Sequence, residues 1–122
     1  MAEVADGPID SNALVLAAAQ ASISGERLPE LVERAQTYVE PRLAAYERRY
    51  ERVYEDGTQA VFFVEDGYWS AVGAELGLET REWKALRRVH AAHLKRLGTE
   101  LDRREEFETA LELREAVAVG TE

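Results

Sequence analysis

The chain has 122 residues, no cysteine, and 24 acidic residues against 15 lysines and arginines, which gives a formal net charge of −9. Its length and its hydrophobic content of 46% fit one domain with a buried core. The lack of cysteine excludes disulfides and thiolate metal sites, and the acidic balance disfavours generic binding to nucleic acid or to anionic membranes.

The N-terminal residues 1–10 lack hydrophobic periodicity and are predicted to form a flexible tail before a single helical domain over 11–122. A first helix is predicted over the segment SNALVLAAAQASIS, which is apolar around most of its circumference. The apolar run from Ala13 to Ala19 is too short to cross a bilayer. We therefore expect a soluble, cytoplasmic protein that does not enter a membrane.

The next part of the chain predicts a long helix followed by a strand. From Leu28 to Glu55, apolar residues recur every three or four positions, and Pro41 is expected to bend or break the helix that this spacing indicates. Thr58 to Val64 has the β-branched and aromatic composition of a short buried strand. Its candidate partner within the chain is Ala116 to Val119, unless it pairs across a dimer.

Two helices joined by a glycine turn are predicted after the strand. The first covers Tyr68 to Leu76 and ends at Gly77, and the second begins at Glu79 or Thr80 and continues to about Leu97. A last helix is predicted over LDRREEFETALELREA. Together these elements predict a mainly α fold, a compact bundle of about five helices with one short β-strand or a two-stranded pairing.

The apolar spacing over Val72 to Arg88 resembles a helix-turn-helix. A helical projection places Arg81, Lys84, Arg88 and Lys95 opposite the apolar face of the second helix. The resemblance implies that these cations contact DNA. The alternative, which we favour, is that acidic residues of the last helix, Glu47 and Glu51 of the helix predicted before the strand, or acidic residues of a partner protein pair with them.

A second group of residues predicts a protein interface. Tyr46, Tyr50 and Tyr54 are spaced four residues apart, and Arg49 lies among them. Because aromatic and arginine side chains are enriched at interfaces, we expect a homodimer or a partner protein here. In the alternative, the rings cover an edge of the core and leave their hydroxyls in water.

Candidate catalytic groups are few. His90 and His93 lie three residues apart on a predicted helix, but no third metal ligand is evident, so a buried, hydrogen-bonded role is favoured for His90. No nucleophile elbow, phosphate-binding loop or dinucleotide fingerprint is found. We therefore expect no metal, no cofactor and no enzymatic activity.

The segment GYWSAVGAELGLETREWKALRRVHAAHLKRLG, followed by RREEFETALELREAVAVG, resembles small acidic haloarchaeal proteins of unknown function. This resemblance covers Gly67 to Gly120 and implies an intracellular, salt-adapted setting, without assigning functional residues. The function predicted from the sequence is a non-enzymatic protein-interaction or regulatory module. The alternative is a helix-turn-helix transcriptional regulator that binds DNA through the basic helix 80–97.

Overall fold

The computed structural model describes Ile9 and residues 19–20, 23–24 and 26–121. The predicted tail and first helix lie largely outside these residues, although Ile9 is 5% exposed and belongs to the core. The described elements are, in chain order, α1 (Arg27–Val39), a 3-10 turn (Glu40–Arg42), α2 (Leu43–Arg49), β1 (Glu51–Glu55), β2 (Gln59–Val64), α3 (Tyr68–Leu76), α4 (Thr80–Leu101), α5 (Arg104–Ala110) and β3 (Glu115–Gly120).

The three strands form one antiparallel sheet in the order β1-β2-β3. β2 and β3 pair from Gln59 opposite Gly120 to Val64 opposite Glu115, which confirms the predicted pairing of these two segments. The predicted helical bundle with one strand or a two-stranded pairing is wrong, because the described residues form an α+β fold around a three-stranded sheet.

β1 accounts for most of this error. The predicted break at Pro41 is confirmed, since that proline lies in the 3-10 turn between α1 and α2. The helical prediction beyond it is too long, because α2 ends at Arg49 and Tyr50 is already extended. Val53 and Tyr54 satisfy a helical spacing, but such side chains also suit a strand, and pairing with β2 decides between the two.

β2 is the centre of the fold, and all of its residues are buried. Side chains alternate along a strand, so both faces of β2 must be covered. On one face, the ring of Phe62 lies 6.1 Å from that of Tyr46, and on the other, Phe63 lies 6.1 Å from Phe107 of α5. The sheet is therefore packed between Tyr46 of α2 on one face and the helices α4 and α5 on the other.

The outer edge of β3 is covered in part by Gln36 of α1. Its Nε2 donates to the carbonyl oxygen of Ala118 at 2.7 Å, and its Oε1 accepts from the backbone N–H of Gly120 at 2.9 Å. The side-chain amide thus presents the same donor and acceptor that another strand would present. Gln36 is only 7% exposed, so these bonds are shielded from water.

Two aromatic side chains satisfy further groups on the same edge. Nε1 of Trp69 donates to the carbonyl oxygen of Ala116 at 2.9 Å, and Nδ1 of His90 accepts from the backbone N–H of Ala118 at 3.0 Å. The two rings lie 4.5 Å apart and are tilted by 32°. One residue from each of α1, α3 and α4 therefore closes the edge of β3.

The predicted boundary between α3 and α4 is confirmed. Gly77 ends α3 in the left-handed conformation, with φ of 70°, which glycine adopts without the steric cost that a side chain imposes. Glu79 and Glu82 form a capping box at the start of α4. The predicted end near Leu97 is too early, because α4 continues through Gly98 to Leu101.

The predicted last helix is also corrected, since α5 ends at Ala110 and Glu115 already begins β3. Gly98 allows α5 to cross close to α4. A Cβ at Gly98 would lie 2.9 Å from Cα of Arg104 and 2.8 Å from Cδ2 of Phe107. Because one of these atoms belongs to the backbone, the contact cannot be relieved by a side-chain rotation alone.

We expect Gly98→Ala to lower the free energy of unfolding by up to about 2 kcal/mol, since moving α5 to accept the methyl group costs about 1–3 kcal/mol. This cost outweighs the gain of about 1 kcal/mol that alanine brings to a helix interior. Urea unfolding measures the difference. Gly57→Ala is the matched control, because a Cβ there meets nothing within 4 Å. Equal stability of the two variants would contradict the close crossing of α4 and α5.

Candidate interaction surface

Four cations lie on one side of α4. Arg81, Lys84 and Arg88 are exposed and Lys95 is half-buried, and we call these four residues the cationic face. At 100° per residue they lie within about 60° of one another around the helix axis. The structure therefore brings together the residues that the helix-turn-helix resemblance had singled out.

The cationic face has few acidic partners within the protein. Nε of Arg81 lies 3.2 Å from an oxygen of Glu79, and both side chains are exposed. Such a pair contributes little, because water screens it. Arg88 and Lys95 form no ion pair with any other part of the chain that the structure describes.

The acidic residues of α5 pair locally instead. Arg103 bonds Glu106 at 2.8 Å, and Arg104 bonds Glu108 at 2.7 Å. Among the described residues, no ion pair joins α5 to the cationic face. Pairing of the last helix with the basic stripe, one of the interpretations drawn from the sequence, is therefore not the arrangement in this fold.

The remaining circumference of α4 is buried. Its buried residues span about 220° around the axis at 100° per residue, and they are Ala85, Leu86, Val89, His90, His93, Leu94, Leu97 and Gly98. They contact α1, α3, α5 and β3. α4 is therefore an embedded central helix that presents a narrow strip to solvent, rather than a helix that projects from the surface.

Trp83 lies on the buried side of α4, away from the cationic face, and connects α4 to α3. A Cβ at Gly73 would lie 2.5 Å from Cδ1 of Trp83, so the indole rests directly on the glycine. Trp83 is partly buried, with the Arg87 guanidinium carbon 5.5 Å and the Lys84 ammonium 6.0 Å from its ring centroid. The contact with Gly73 orients the N-terminal half of α4.

Arg87 lies near a buried carboxylate, that of Glu115, which was not identified from the sequence. Glu115 is 4% exposed and accepts from the backbone N–H groups of Gly67 and Trp69 at 2.8 and 2.9 Å. Nη1 of Arg87 lies 4.0 Å from the same carboxylate. Glu115, the first residue of β3, therefore accepts hydrogen bonds from backbone N–H groups at the start of α3 that have no partner within the helix. A glutamate directly before the apolar run AVAV was the available signal.

The tyrosines predicted as an interface do not form one helical stripe. Tyr46 is 7% exposed, and its hydroxyl lies 2.6 Å from that of Tyr68 inside the fold. Tyr50 is half-buried, and burial together with a hydrogen bond to Glu65 raises its pKa to about 12. These rings pack against the core, as in the alternative, but the Tyr46 hydroxyl lies inside the fold rather than in water.

The other two members of the predicted interface are more accessible. Tyr54 lies on β1 rather than on a helix, and its hydroxyl donates to Asp56 at 2.8 Å. The Arg49 guanidinium lies 5.1 Å from the Tyr50 ring centroid and is exposed. A role of Tyr46, Tyr50, Tyr54 and Arg49 in self-association stays a prediction.

The two histidines both face the sheet. Nδ1 of His90 accepts from Ala118, and Nε2 of His93 lies 2.8 Å from Oε1 of Gln59. Within the described residues, no group of three or more His, Asp or Glu side chains is placed to hold a metal ion. Both residues therefore have structural partners, and Nε2 of His90 is left buried without one.

The described residues define a small α+β protein whose cationic face lies on a central helix. A model of the family described as "Domain of unknown function (DUF8048)" matches residues 7–121, and the chain belongs to that family. No curated protein and no solved structure matches it. The predicted resemblance to a family of unknown function is thereby confirmed. None of the described helices has the length and apolar character needed to cross a membrane.

The burial of His90 predicts a pH-dependent stability. Burial, aided by the charge of nearby His93, lowers the pKa of His90 to about 3, against about 6.5 in an unfolded chain. The unfolded chain therefore binds more protons between these pH values. The stability is complete above about pH 6.5 and falls by about 1.4 kcal/mol per pH unit as the pH decreases toward 3.

Urea unfolding at about pH 7.5 and about pH 5 would measure a loss of roughly 2 kcal/mol. In His90→Phe, the backbone N–H of Ala118 loses its acceptor, so we expect this variant to be less stable at neutral pH. Its stability should nevertheless change less between the two pH values, because residue 90 no longer titrates. Identical pH dependence of the two proteins would contradict this assignment.

Proposed function

We propose that this protein is a non-enzymatic interaction module that binds an anionic partner through the cationic face of α4. The observation that carries the proposal is that Arg88 and Lys95 have no acidic partner among the described residues, in a chain with 24 acidic residues. A cluster of cations concentrates positive potential at one place on the surface of a protein whose net charge is −9. Such a place attracts an anionic group and orients its approach.

The roles of the buried polar residues support an interaction module over an enzyme. Gln36 and His90 bond the edge of β3, and Glu115 bonds the start of α3. Their hydrogen bonds are made to the protein backbone, which is the usual arrangement of buried groups that hold a fold together. We therefore assign these groups to the architecture and the cationic face to function.

The alternative function is DNA binding as a helix-turn-helix regulator. The glycine turn at Gly77 and the exposure of Arg81, Lys84 and Arg88 in the first half of α4 favour it. The wide burial of α4 opposes it, because a recognition helix must enter a major groove about 12 Å wide and 8.5 Å deep. A net charge of −9 also opposes binding to a polyanion.

We further propose the cytoplasm of a salt-adapted cell as the setting. The surplus of acidic residues and the small number of lysines agree with this. At about 1 M salt the Debye length is about 3 Å, so only cations in direct contact with a partner contribute. Direct contact requires side chains that are exposed in the free protein, as Arg81, Lys84 and Arg88 are.

Binding to a short heparin oligosaccharide, used as a polyanionic probe at about 0.1 M salt, tests the cationic face. We expect Lys84→Ala/Arg88→Ala to weaken binding about fivefold to tenfold, since each exposed ion pair contributes up to about 1 kcal/mol. The matched control is Arg42→Ala/Arg48→Ala, which removes the same charge from exposed positions in the 3-10 turn and on α2. Equal losses in the two variants would show that net charge, rather than this face, attracts the probe.

A further inference from the structure

The centre of the cationic face is formed by small side chains. Ala91 and Ala92 are partly exposed between Arg88 and Lys95. These two cations are seven residues apart, or about 10 Å along the helix. Because alanine side chains are short, the backbone of a partner can approach α4 closely between two flanking positive charges.

The dimensions of the cationic face fit a short polypeptide segment. From Arg81 to Lys95 it extends about 21 Å at 1.5 Å per residue, which corresponds to about four turns of a second helix. The face is narrow, because the buried side of α4 occupies most of its circumference. One helix or extended segment lying along α4 would cover it.

The ends of α4 disfavour a nucleic acid as the occupant. Glu79 precedes the helix and pairs with Arg81, Glu100 pairs with Arg96 in the last turn, and Asp102 follows the helix, and all three are exposed. A duplex carries its phosphates in a dense regular array, so phosphates would approach these carboxylates. A protein segment can place acidic residues opposite the cations alone.

A second copy of the chain is disfavoured as the partner because the cationic face carries positive charges at both ends of its middle part, Arg88 and Lys95. A two-fold axis near Ala91 and Ala92 would place Arg88 of each copy close to Lys95 of the other. Like charges at such positions repel. The face is thus complementary to an acidic surface and not to itself.

We infer that the partner is an acidic segment of another protein, which lies along α4 with its carboxylates over Lys84, Arg88 and Lys95 and its backbone over Ala91 and Ala92. This inference rests on the proposed function and adds the chemical class of the partner. It requires contact at the alanines as well as at the cations. A purely electrostatic attraction requires only the cations.

The test uses a labelled alanine-rich helical peptide of about 30 Å with glutamates at positions i, i+4 and i+11, and a DNA duplex of similar length. Fluorescence anisotropy measures binding to the full chain. The salt concentration is about 0.1 M, at which the Debye length is about 10 Å. We expect the peptide to bind more tightly than the duplex. Arg88→Ala/Lys95→Ala should weaken peptide binding about tenfold, and Arg42→Ala/Arg48→Ala should leave it within about twofold.

Ala91→Leu separates this inference from the proposed function. The added side chain leaves the charge unchanged, so heparin binding should be retained and would show that the variant is folded. Peptide binding should fall about fivefold or more, since the peptide backbone can no longer approach α4. Peptide binding unaffected by Ala91→Leu would overturn the inference and leave the proposed function standing.

Three further outcomes have definite meanings. If the duplex binds more tightly than the peptide, the inference that the partner is an acidic protein segment is wrong and DNA is favoured as the partner. If light scattering shows that the protein is a dimer and that Arg88→Ala/Lys95→Ala is a monomer, this result would identify a second copy of the chain as the partner. Heparin and peptide binding unaffected by both α4 double variants would overturn the proposed function together with the inference.

Discussion

The outer edge of β3 lies among helices, where water cannot satisfy its backbone N–H and C=O groups. An unpaired buried group of this kind costs about 1–3 kcal/mol, so each must find a partner within the protein. Gln36, Trp69 and His90 provide partners from three different helices. The positions of α1, α3 and α4 relative to the sheet are therefore fixed by directional bonds as well as by apolar packing.

The same constraint explains why α4 carries two different faces. His90 must be buried and neutral to accept from the backbone of β3, and Leu86, Leu94 and Leu97 share its environment. The opposite side of α4 is excluded from the core and accepts charged residues at no cost in desolvation. The core thus holds the helix in place, and the composition of the outer strip is not constrained by packing.

The sequence predicted the features that depend on local spacing. The capping residues and Gly77 defined the boundary between α3 and α4, and helical periodicity placed Arg81, Lys84 and Arg88 on one side of α4. The β-branched and aromatic composition of β2 defined a buried strand. Each of these features follows from residues within a few positions of one another.

The features that the sequence did not predict depend on distant contacts. β1 has a spacing that suits a helix or a strand, and only its pairing with β2 selects the strand. Gln36 bonds β3 across 82 and 84 positions, and Glu115 reaches α3 across 46 and 48. No periodicity marks such pairs. The sequence also could not show that the glutamates of α5 pair locally and not with the cationic face, because this depends on where α5 packs.

Both edges of the sheet are protected against pairing with another strand. At one edge of the sheet, the outer side of β3 is bonded by Gln36, Trp69 and His90 and cannot accept another strand. At the other end, β1 has a register irregularity between Arg52 and Tyr54 and exposes the charges of Glu51 and Glu55. Bulges and edge charges oppose strand addition, since they interrupt the regular ladder and place charge against an incoming chain. With both edges protected, addition of a strand from another chain is disfavoured on either side of the sheet.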